Sequence, residues 1–324
     1  MTATVAEGDA FVAQFDPYRR ELLAHCYRMT GSIHDAEDLV QETYIRAWRG
    51  YSKFEGRSSM RTWLYRIATN TCLTALDGKS KRPLPTGLGA PSSDPTDELV
   101  AQHEISWLEP IADSEFDNSD DPAAIVVEKE SIRLAFVAAL QHLSPRQRAA
   151  LLMREVLQWK ASEVAEALAT TTTAVNSLLQ RARAQLDEIT PTEDTVVEPA
   201  AAETRELLAK YVDSFERYDI DQLVQLFTDD AVWEMPPFVG WYQGGENIGN
   251  LIRGNCPAQK AGDMRMVATS ANGQPAYGLY MRNEAGVHEA FQLHVVDVTA
   301  GGVAHVACFF DLRLFERFGL PERL

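Results

Sequence analysis

Arginine and tyrosine side chains share one face of the segment from Met60 to Ala75. Its apolar residues recur with helical spacing, so we predict a helix here. The residues expected on its outward face are Arg61, Thr62, Tyr65, Arg66 and Thr69. Arginines bind phosphates, and an aromatic ring can stack on an unpaired base. The pattern suits contact with single-stranded nucleic acid; an ordinary basic helix face, which is common, is the alternative.

The segment from Asp35 to Trp48 is predicted to form a second helix that precedes this one. The side expected to face solvent carries an isoleucine, with a tryptophan at its margin, among acids and an amide. These residues are Asp38, Gln41, Glu42, Ile45 and Trp48. A solvated face has no need of an isoleucine, so the pattern indicates a surface that contacts another protein. A single exposed apolar residue of no function is the alternative.

Residues 161–186 have the spacing of a helix-turn-helix. The first helix is predicted at 161–168 and the second at 172–186. On the second helix Val175, Leu179, Ala182 and Leu186 are expected to face inward. Its outward face carries amide, hydroxyl and guanidinium groups, which read major-groove edges and hold phosphates. The residues are Thr173, Asn176, Ser177, Gln180, Arg181 and Arg183.

Two motifs in the first domain resemble a known family. HCYRMTGSIHDAEDLVQETYIRAW and FEGRSSMRTWLYRIATN are similar to region 2 of the extracytoplasmic-function (ECF) sigma factors, promoter-recognition subunits of bacterial RNA polymerase. SPRQRAALLMREV, followed by the helix-turn-helix, resembles region 4. Two residues depart from the family pattern: Ala169 stands at the turn position where glycine is usual, and Leu178, in the second helix, stands where a polar DNA-facing residue is frequent. Leu178 could touch a thymine methyl group or simply pack.

The resemblance implies partners and roles for these residues. Core RNA polymerase (its β′ clamp and β flap) and promoter DNA would be the partners. The Ile45-centred face would bind polymerase, and the second helix of region 2 would read and melt the −10 element. The residues implied at −10 are Arg61, Thr62, Tyr65, Arg66 and Asn70. The outward face of the helix-turn-helix would bind the −35 element.

The formal charge of −17 is unevenly distributed along the 324 residues. Residues 83–130 hold 12 acids against one base, and residues 190–324 hold 20 against 10. Residues 1–82 and 131–189 each carry a net charge of +2. Tight autonomous binding to duplex DNA would need many uncompensated cations, whereas a subunit held by a larger partner would not. The acidic segment could mimic nucleic acid or serve solubility alone.

The remaining bulk properties indicate a cytoplasmic protein. No apolar run approaches the roughly 20 residues of a membrane span, and the N-terminus lacks the features of a secretion signal. The cysteines Cys26, Cys72, Cys256 and Cys308 are far apart in sequence. We therefore expect reduced thiols, no metal site and no cofactor.

The C-terminal third reads as helices followed by strands. YDIDQLVQLFTDDAVWEMPP resembles the opening of a SnoaL-like domain of the NTF2-like superfamily, which implies an α+β cone. The last predicted strand is DLRLF. Residues expected to line an interior pocket, which a small ligand could occupy, are Trp233, Trp241, Tyr242, His294 and Asp311. His294 with Asp311 would be an acid/base pair, although a core histidine is the stronger alternative.

The predicted organisation has four parts. Residues 1–82 form region 2, 83–124 an acidic proline-rich tether, 125–190 region 4, and 191–324 the cone. Trp107-Leu-Glu-Pro is expected to anchor the tether. The fold class is two all-α domains plus an α+β cone. The predicted function is that of an ECF sigma factor with no chemistry of its own, regulated in cis by the cone. The rivals are a polymerase-independent helix-turn-helix regulator and an NTF2-like enzyme or ligand-binding protein with a DNA-binding N-terminus.

Overall fold

The structure, a computed structural model, describes residues 13–116, 131–189 and 202–324. Within these ranges the chain forms two compact units. The helical unit contains the chain up to residue 82 together with residues from 108 to 191. The cone unit contains residues 83–107 together with residues from 192 to the C-terminus.

The helical unit is built from α-helices joined by short turns. They are α1 (Arg19–Thr30), α2 (Ile33–Tyr51), α3 (Met60–Ala75), α4 (Leu134–His142), α5 (Pro145–Leu151), α6 (Ala161–Ala167) and α7 (Thr172–Ile189). A π-type turn, Leu152–Val156, extends α5. The predicted bounds of α3 are confirmed at both ends. Before α1 the described chain is already helical at residues 13–15 and then forms a 3-10 turn at Asp16–Tyr18.

Local sequence signals set the ends of these helices. Gly31 ends α1 with φ +69°, a left-handed conformation that glycine adopts without strain. Ser59 caps α3 by accepting a hydrogen bond from the backbone N–H of Thr62. Ser32 caps α2 in the same way, with the N–H of Asp35 as donor. The helix predicted from Asp35 therefore begins two residues earlier, at Ile33, because Ser32 provides the capping oxygen.

The cone unit wraps a six-stranded mixed sheet around one core. Its helices are α8 (Ala202–Arg217), α9 (Ile220–Val224), α10 (Gly245–Asn255) and α11 (Arg313–Arg317). Its strands are β1 (Phe227–Glu234), β2 (Trp241–Gln243), β3 (Met264–Ala271), β4 (Gln274–Arg282), β5 (His288–Thr299) and β6 (Gly302–Phe309). The strand order is β2-β1-β6-β5-β4-β3, with only the β1–β6 pair parallel.

Helices α8, α9 and α10 supply apolar side chains to the same core as the strands. Leu208, Leu223 and Ile248 of these helices are buried with Trp233 of β1 and Val306 of β6. The predicted strand DLRLF is wrong, because this stretch enters α11. The side chain of Asp311 accepts a hydrogen bond from the N–H of Arg313, which fixes a helical turn there.

The predicted tether divides between the two units. Residues 83–107 pack on the cone, where Val239 N–H donates to Val100 O (3.0 Å) and Gln102 N–H to Pro237 O (2.9 Å). Leu108 and the residues up to Phe116 pack in the helical unit, and Leu108 is completely buried. The segment has little regular secondary structure, as expected from its prolines. Backbone hydrogen bonds nevertheless hold it in place.

Candidate nucleic-acid interface

The outward face of α2 carries the five residues predicted to contact polymerase. Ile45 is 45% exposed and Trp48 is 42% exposed, so two large apolar side chains lie on the solvent side of this helix. Asp38 and Gln41 are exposed beside them, and Glu42 forms an ion pair with Arg46 at 2.7 Å. The opposite face is buried, with Ala36, Leu39, Val40, Thr43 and Ala47 in the core. The amphipathic pattern predicted for this helix is confirmed.

Helix α3 presents Arg61 through contacts with its neighbours. The guanidinium lies 4.9 Å from the ring centroid of Tyr65, a cation–π geometry, and its Nε donates to Glu21 of α1 at 2.7 Å. Thr62 is half-buried in the first turn, where its hydroxyl lies 2.9 Å from that of Ser59. These contacts hold Arg61 near the surface at the N-terminal end of α3.

The expectation that Tyr65 and Thr69 point outward is wrong, because both side chains are buried. The Tyr65 ring packs edge-on against His25 of α1 (5.1 Å) and Trp159 (6.4 Å), and its hydroxyl donates to Glu21 (3.2 Å). The Thr69 hydroxyl lies 2.9 Å from His25 Nε2. Helix α3 therefore has a second buried face, which α1 and Trp159 cover.

Burial keeps the Tyr65 phenol and the neighbouring His25 imidazole uncharged. It raises the pKa of the Tyr65 phenol, with the nearby Glu21 carboxylate adding to the effect. It lowers the pKa of His25 to about 3, and the cations Arg28 and Arg61 contribute to that shift. Neutral His25 serves as a hydrogen-bonding core residue, while Arg61 remains the charged group above it.

The two remaining −10 candidates contact the helix-turn-helix. Arg66 Nη1 forms an ion pair with Glu166 of α6 at 2.8 Å. The amide of Asn70 donates to Arg66 O (2.8 Å) and to Ala167 O (3.4 Å), which also belongs to α6. The structure thus brings the C-terminal half of the α3 outer face against region 4.

The helix-turn-helix has the predicted form, α6 and α7 being its two helices. Val175, Leu179 and Ala182 are buried as expected, while Leu186 and Leu178 are half-buried. All six predicted −35 residues are exposed on α7: Thr173, Asn176, Ser177, Gln180, Arg181 and Arg183. Arg183 pairs with Glu155.

The turn before α7 carries the departure noted in the sequence. Ala169 has φ +47°, the left-handed conformation in which glycine is usual. A Cβ atom there costs about 1 kcal/mol, and the surrounding turn holds the residue in place.

Arg148 of α5 joins region 4 to region 2, and the sequence patterns did not single it out. Its buried guanidinium donates to Leu140 O (2.8 Å), to Gln141 Oε1 (2.8 Å) and to the carbonyl of Met29 in α1. Burial lowers its pKa to about 10, so the side chain stays cationic at neutral pH. Its position between a capping serine and an apolar run gave no signal for this role.

Glu109 is a second residue that the sequence patterns missed. Its carboxylate accepts hydrogen bonds from Ser32 Oγ (2.9 Å) and Ile33 N–H (3.0 Å) at the N-terminus of α2. Arg82 lies 3.6 Å from the same carboxylate. A negative charge at a helix N-terminus is stabilising, so the Leu108-Glu109 dipeptide anchors the chain to region 2. The predicted anchor exists, although Leu108 rather than Trp107 is its fully buried residue.

The cone interior contains three of the five predicted pocket residues, Trp233, Tyr242 and His294. His294 lies between Tyr211 Oη (2.8 Å from Nδ1) and the Gln292 amide (2.7 Å from Nε2). Burial lowers the pKa of His294 to about 3, so the imidazole is neutral. Trp233 Nε1 and Gln292 Oε1 are buried and make no hydrogen bond to the described residues.

The other two predicted pocket residues lie elsewhere in the cone unit. Trp241 of β2 donates from Nε1 to Ala90 O (2.9 Å) in the packed linker segment. Asp311 pairs with Arg313 at 2.6 Å, and its side chain is 36% exposed. The suggested His294–Asp311 acid/base pair is therefore not formed. His294 is bonded within the core instead.

Among the helices of the three described ranges, none combines the length and the apolar character of a membrane span. Those ranges also hold no group of three or more His, Cys, Asp or Glu side chains placed to bind a metal ion.

Family models match both helical regions, and one relative is similar over nearly the whole chain. The family model of sigma-70 region 2 matches residues 14–82, and that of sigma-70 region 4 matches residues 133–186. The ECF RNA polymerase sigma factor SigG of Mycobacterium tuberculosis is 62% identical over 315 residues, which cover 97% of this chain and 85% of that protein. SigJ of the same organism is 28% identical over 75% of this chain and 72% of its own length.

The fold has a counterpart among solved structures. The crystal structure of Mycobacterium tuberculosis SigJ, an extracytoplasmic function sigma factor, matches with a TM-score of 0.64 at 22% identity. The match covers 96% of this chain and 100% of that one. The predicted fold class is confirmed as two all-α sigma domains followed by an α+β domain. By its long, high-identity match to SigG, the chain belongs to the ECF family of RNA polymerase sigma factors.

Proposed function

We propose that this chain binds core RNA polymerase and directs it to specific promoters in the cytoplasm. The observation that carries the proposal is the outward face of α2. Ile45 and Trp48 are exposed there among Asp38, Gln41 and Glu42, although the opposite face of the helix is buried. Apolar side chains surrounded by charged ones are typical of a protein-binding surface. The β′ clamp of polymerase is the partner that we assign to it.

Region 2 holds the −10 element through α3. Arg61 and Arg66 contact backbone phosphates, and the amide of Asn70 contacts a base edge or a phosphate. The buried ring of Tyr65 positions Arg61 by the cation–π contact. Holding an unstacked base costs a few kcal/mol, which polymerase contacts help to offset.

Region 4 binds the −35 element through α7. Its exposed amide and hydroxyl groups lie in the N-terminal half of the helix, the part that enters the major groove in helix-turn-helix proteins. Arg181 and Arg183 follow near its middle, where they contact phosphates. The β flap of polymerase supports this domain.

The cone acts in cis as a regulatory domain. Residues 83–107, which lead from region 2 to the Leu108-Glu109 anchor, are bound to the cone by backbone hydrogen bonds. A change in the cone can therefore act on the connection between regions 2 and 4. Trp233 Nε1 and Gln292 Oε1 could serve a small ligand in the cone interior. A truncation near Thr190 and the full chain should differ in transcription from one promoter; equal activity and equal affinity for core polymerase would remove the regulatory role.

Pull-down of core polymerase followed by run-off transcription tests the central function. The full-length chain should retain core polymerase and yield a transcript of defined length from its promoter. Duplex DNA binding without any retention of polymerase would instead support an independent helix-turn-helix regulator. Turnover of a small substrate that is lost on changing His294 would support an enzyme.

A further inference from the structure

A buried carboxylate of the cone holds the start of the segment 83–107. Glu234 stands at the end of β1, and 2% of its side chain is exposed. Its Oε2 accepts a hydrogen bond from the backbone N–H of Thr86 (2.8 Å), and its Oε1 lies 2.7 Å from Nε2 of His305 on β6. We call this arrangement the Glu234 bridge, because one carboxylate joins the segment to two strands of the sheet.

The local sequence explains why Thr86 needs an acceptor. Pro85 begins a 3-10 turn that ends at Leu88, and proline has no N–H to donate. The N–H of Thr86 is therefore the first amide of the turn, and the first amides of a helical turn have no partner inside it. Leu84 and Pro85, next to this amide, are buried, as is the Glu234 carboxylate. The turn is thus held through a bond for which water does not compete.

Other contacts between this segment and the cone use uncharged groups. The N–H of Ser93 donates to Trp241 O (2.7 Å), and that of Gln102 donates to Pro237 O (2.9 Å). Amides and carbonyls do not change their protonation near neutral pH. The Glu234 bridge differs from these contacts because a histidine shares its carboxylate, and histidine titrates in that range.

His305 lies among negative charges. It is opposite Asp297 of β5 in the sheet register, and it bonds to Glu234 of β1. Burial by itself lowers the pKa of His305, but the hydrogen bond and charge of Glu234, together with the charge of Asp297, raise it above its ordinary value. Cys308, further along β6, stays a neutral thiol, because burial and the Glu234 charge raise its pKa. The segment 83–107 meets the carboxylate with an uncharged amide.

We propose that protonation of His305 controls the Glu234 bridge: the turn Pro85–Leu88 is held on the cone while His305 carries its proton, and it is released when the proton is lost. The inference rests on the proposed regulatory role of the cone and deepens it, because the segment leads from region 2 to region 4. A neutral imidazole still offers a hydrogen bond, but it no longer offsets the charge of a buried carboxylate. Movement of the turn then lets water reach that carboxylate.

The direction of the pH effect follows from the position of the histidine pKa. Because the pKa of His305 is higher in the folded chain than in the unfolded one, its contribution is fully present below the unfolded value of 6.5. That contribution is lost as the pH rises through the folded value. Alkaline solution is therefore the condition that frees the turn.

Hydrogen exchange of the free full-length protein at pH 6 and at pH 9 tests the bridge. We expect the protection factor of the amides at 86–90, corrected for the intrinsic exchange rate, to fall roughly tenfold at the higher pH. The amide of Gln102 is the internal control, because its bond to Pro237 O should persist equally at both values. Unchanged protection at 86–90, or an equal fall at Gln102, would overturn the proposal.

Two substitutions separate the charge from the hydrogen bond. His305→Gln keeps a neutral donor and removes the titrating group, so protection of the turn should be low and equal at both pH values. Glu234→Gln removes the negative charge and should give an equally flat response. The matched control is Glu246→Gln, an exposed acid of α10, which should behave like wild type. A pH response that survives in His305→Gln would contradict the proposal, and this variant decides the matter if Glu234→Gln does not fold.

Run-off transcription with core polymerase separates this inference from the proposed function. Glu234→Gln should shift the transcript yield toward that of the truncation near Thr190, while Glu246→Gln should not. Equal yields from the full chain and the truncation would refute the regulatory role, and hydrogen exchange would still decide whether the bridge responds to protonation. A wild-type yield from Glu234→Gln, with a truncation that differs, would refute the regulatory consequence of the bridge.

Discussion

Surface ion pairs of the helical unit and the polar network in the cone core place their side chains in opposite environments. In the helical unit, Arg66 and Arg183 form ion pairs at the surface, each with a partner that solvent also reaches. In the cone, Tyr211, Gln292 and His294 are bonded to one another in the core. An exposed ion pair contributes about 0–1 kcal/mol, whereas stranding a buried polar group costs about 1–3 kcal/mol. The surface pairs are therefore suited to exchanging partners, and the buried network to keeping the shape of the cone.

The cone core should respond most strongly to truncation. Trp233→Ala removes a buried ring that packs against Phe215 and His294, so we expect the free energy of unfolding to fall by about 3–5 kcal/mol. Urea denaturation with hydrogen exchange of β1 and β5 measures the loss. The matched control is Trp241→Ala, a half-buried tryptophan on the neighbouring strand, which should cost about 1 kcal/mol. Equal losses would show that the interior is loosely packed.

Acid should weaken the cone through His294. Burial holds the pKa of the folded state near 3, below the unfolded value of 6.5, so the unfolded chain binds the proton first. Stability is present above pH 6.5 and is lost as the pH falls toward 3, by about 2 kcal/mol at pH 5. Urea denaturation at pH 7 and pH 5 measures the change. His294→Gln should flatten this dependence for the cone strands, and an unchanged slope would mean that other groups cause it.

Loss of the anchor at the start of α2 should have a smaller effect. Glu109→Ala removes the acceptor for Ser32 Oγ and Ile33 N–H, and we expect a loss of about 1–2 kcal/mol. Faster hydrogen exchange in the first turn of α2 would report it. Glu104→Ala, an exposed acid of the same segment, is the control and should change nothing measurable. An equal response to both would contradict the capping role.

The ion pair between Arg66 of α3 and Glu166 of α6 should have the smallest effect on stability. Glu166→Gln removes a contact that solvent screens at both ends, so the free energy of unfolding should fall by less than about 1 kcal/mol. Thermal unfolding measures it beside wild type. A loss as large as that of Trp233→Ala would mean that the pair is structural, and the contrast between the two units would fail.

Much of the helical unit could be predicted because its signals are local. The bounds of α3 follow from helical periodicity, and the cap at Ser59 is a residue next to the helix. The buried stripe of α2 likewise follows from spacing alone. The burial of Tyr65 could not be predicted, because Trp159, which covers it, is 94 residues away and belongs to region 4.

In the cone, too, local sequence patterns predicted some elements and failed at others. The sequence predicted that strands follow the first helices of the cone, but residues 311–315, expected to be the last strand, form a turn and a helix because the Asp311 side chain bonds to Arg313. Periodicity cannot tell which side chain will satisfy a backbone N–H. The roles of Arg148 and Glu109 depend on acceptors and donors far along the chain, and no spacing rule points to them.

The affinity of the full-length chain for core RNA polymerase tests the central claim most directly. The variant that combines Asp38→Lys, Glu42→Lys and Ile45→Ala changes the outward face of α2 and leaves its buried face intact. The control that combines Glu203→Lys, Glu246→Lys and Leu312→Ala makes closely similar chemical changes at exposed positions of the cone unit. We predict that the first variant stays folded and binds core polymerase at least tenfold more weakly, while the control binds like wild type. Undiminished binding by a folded first variant would contradict the assignment of this surface.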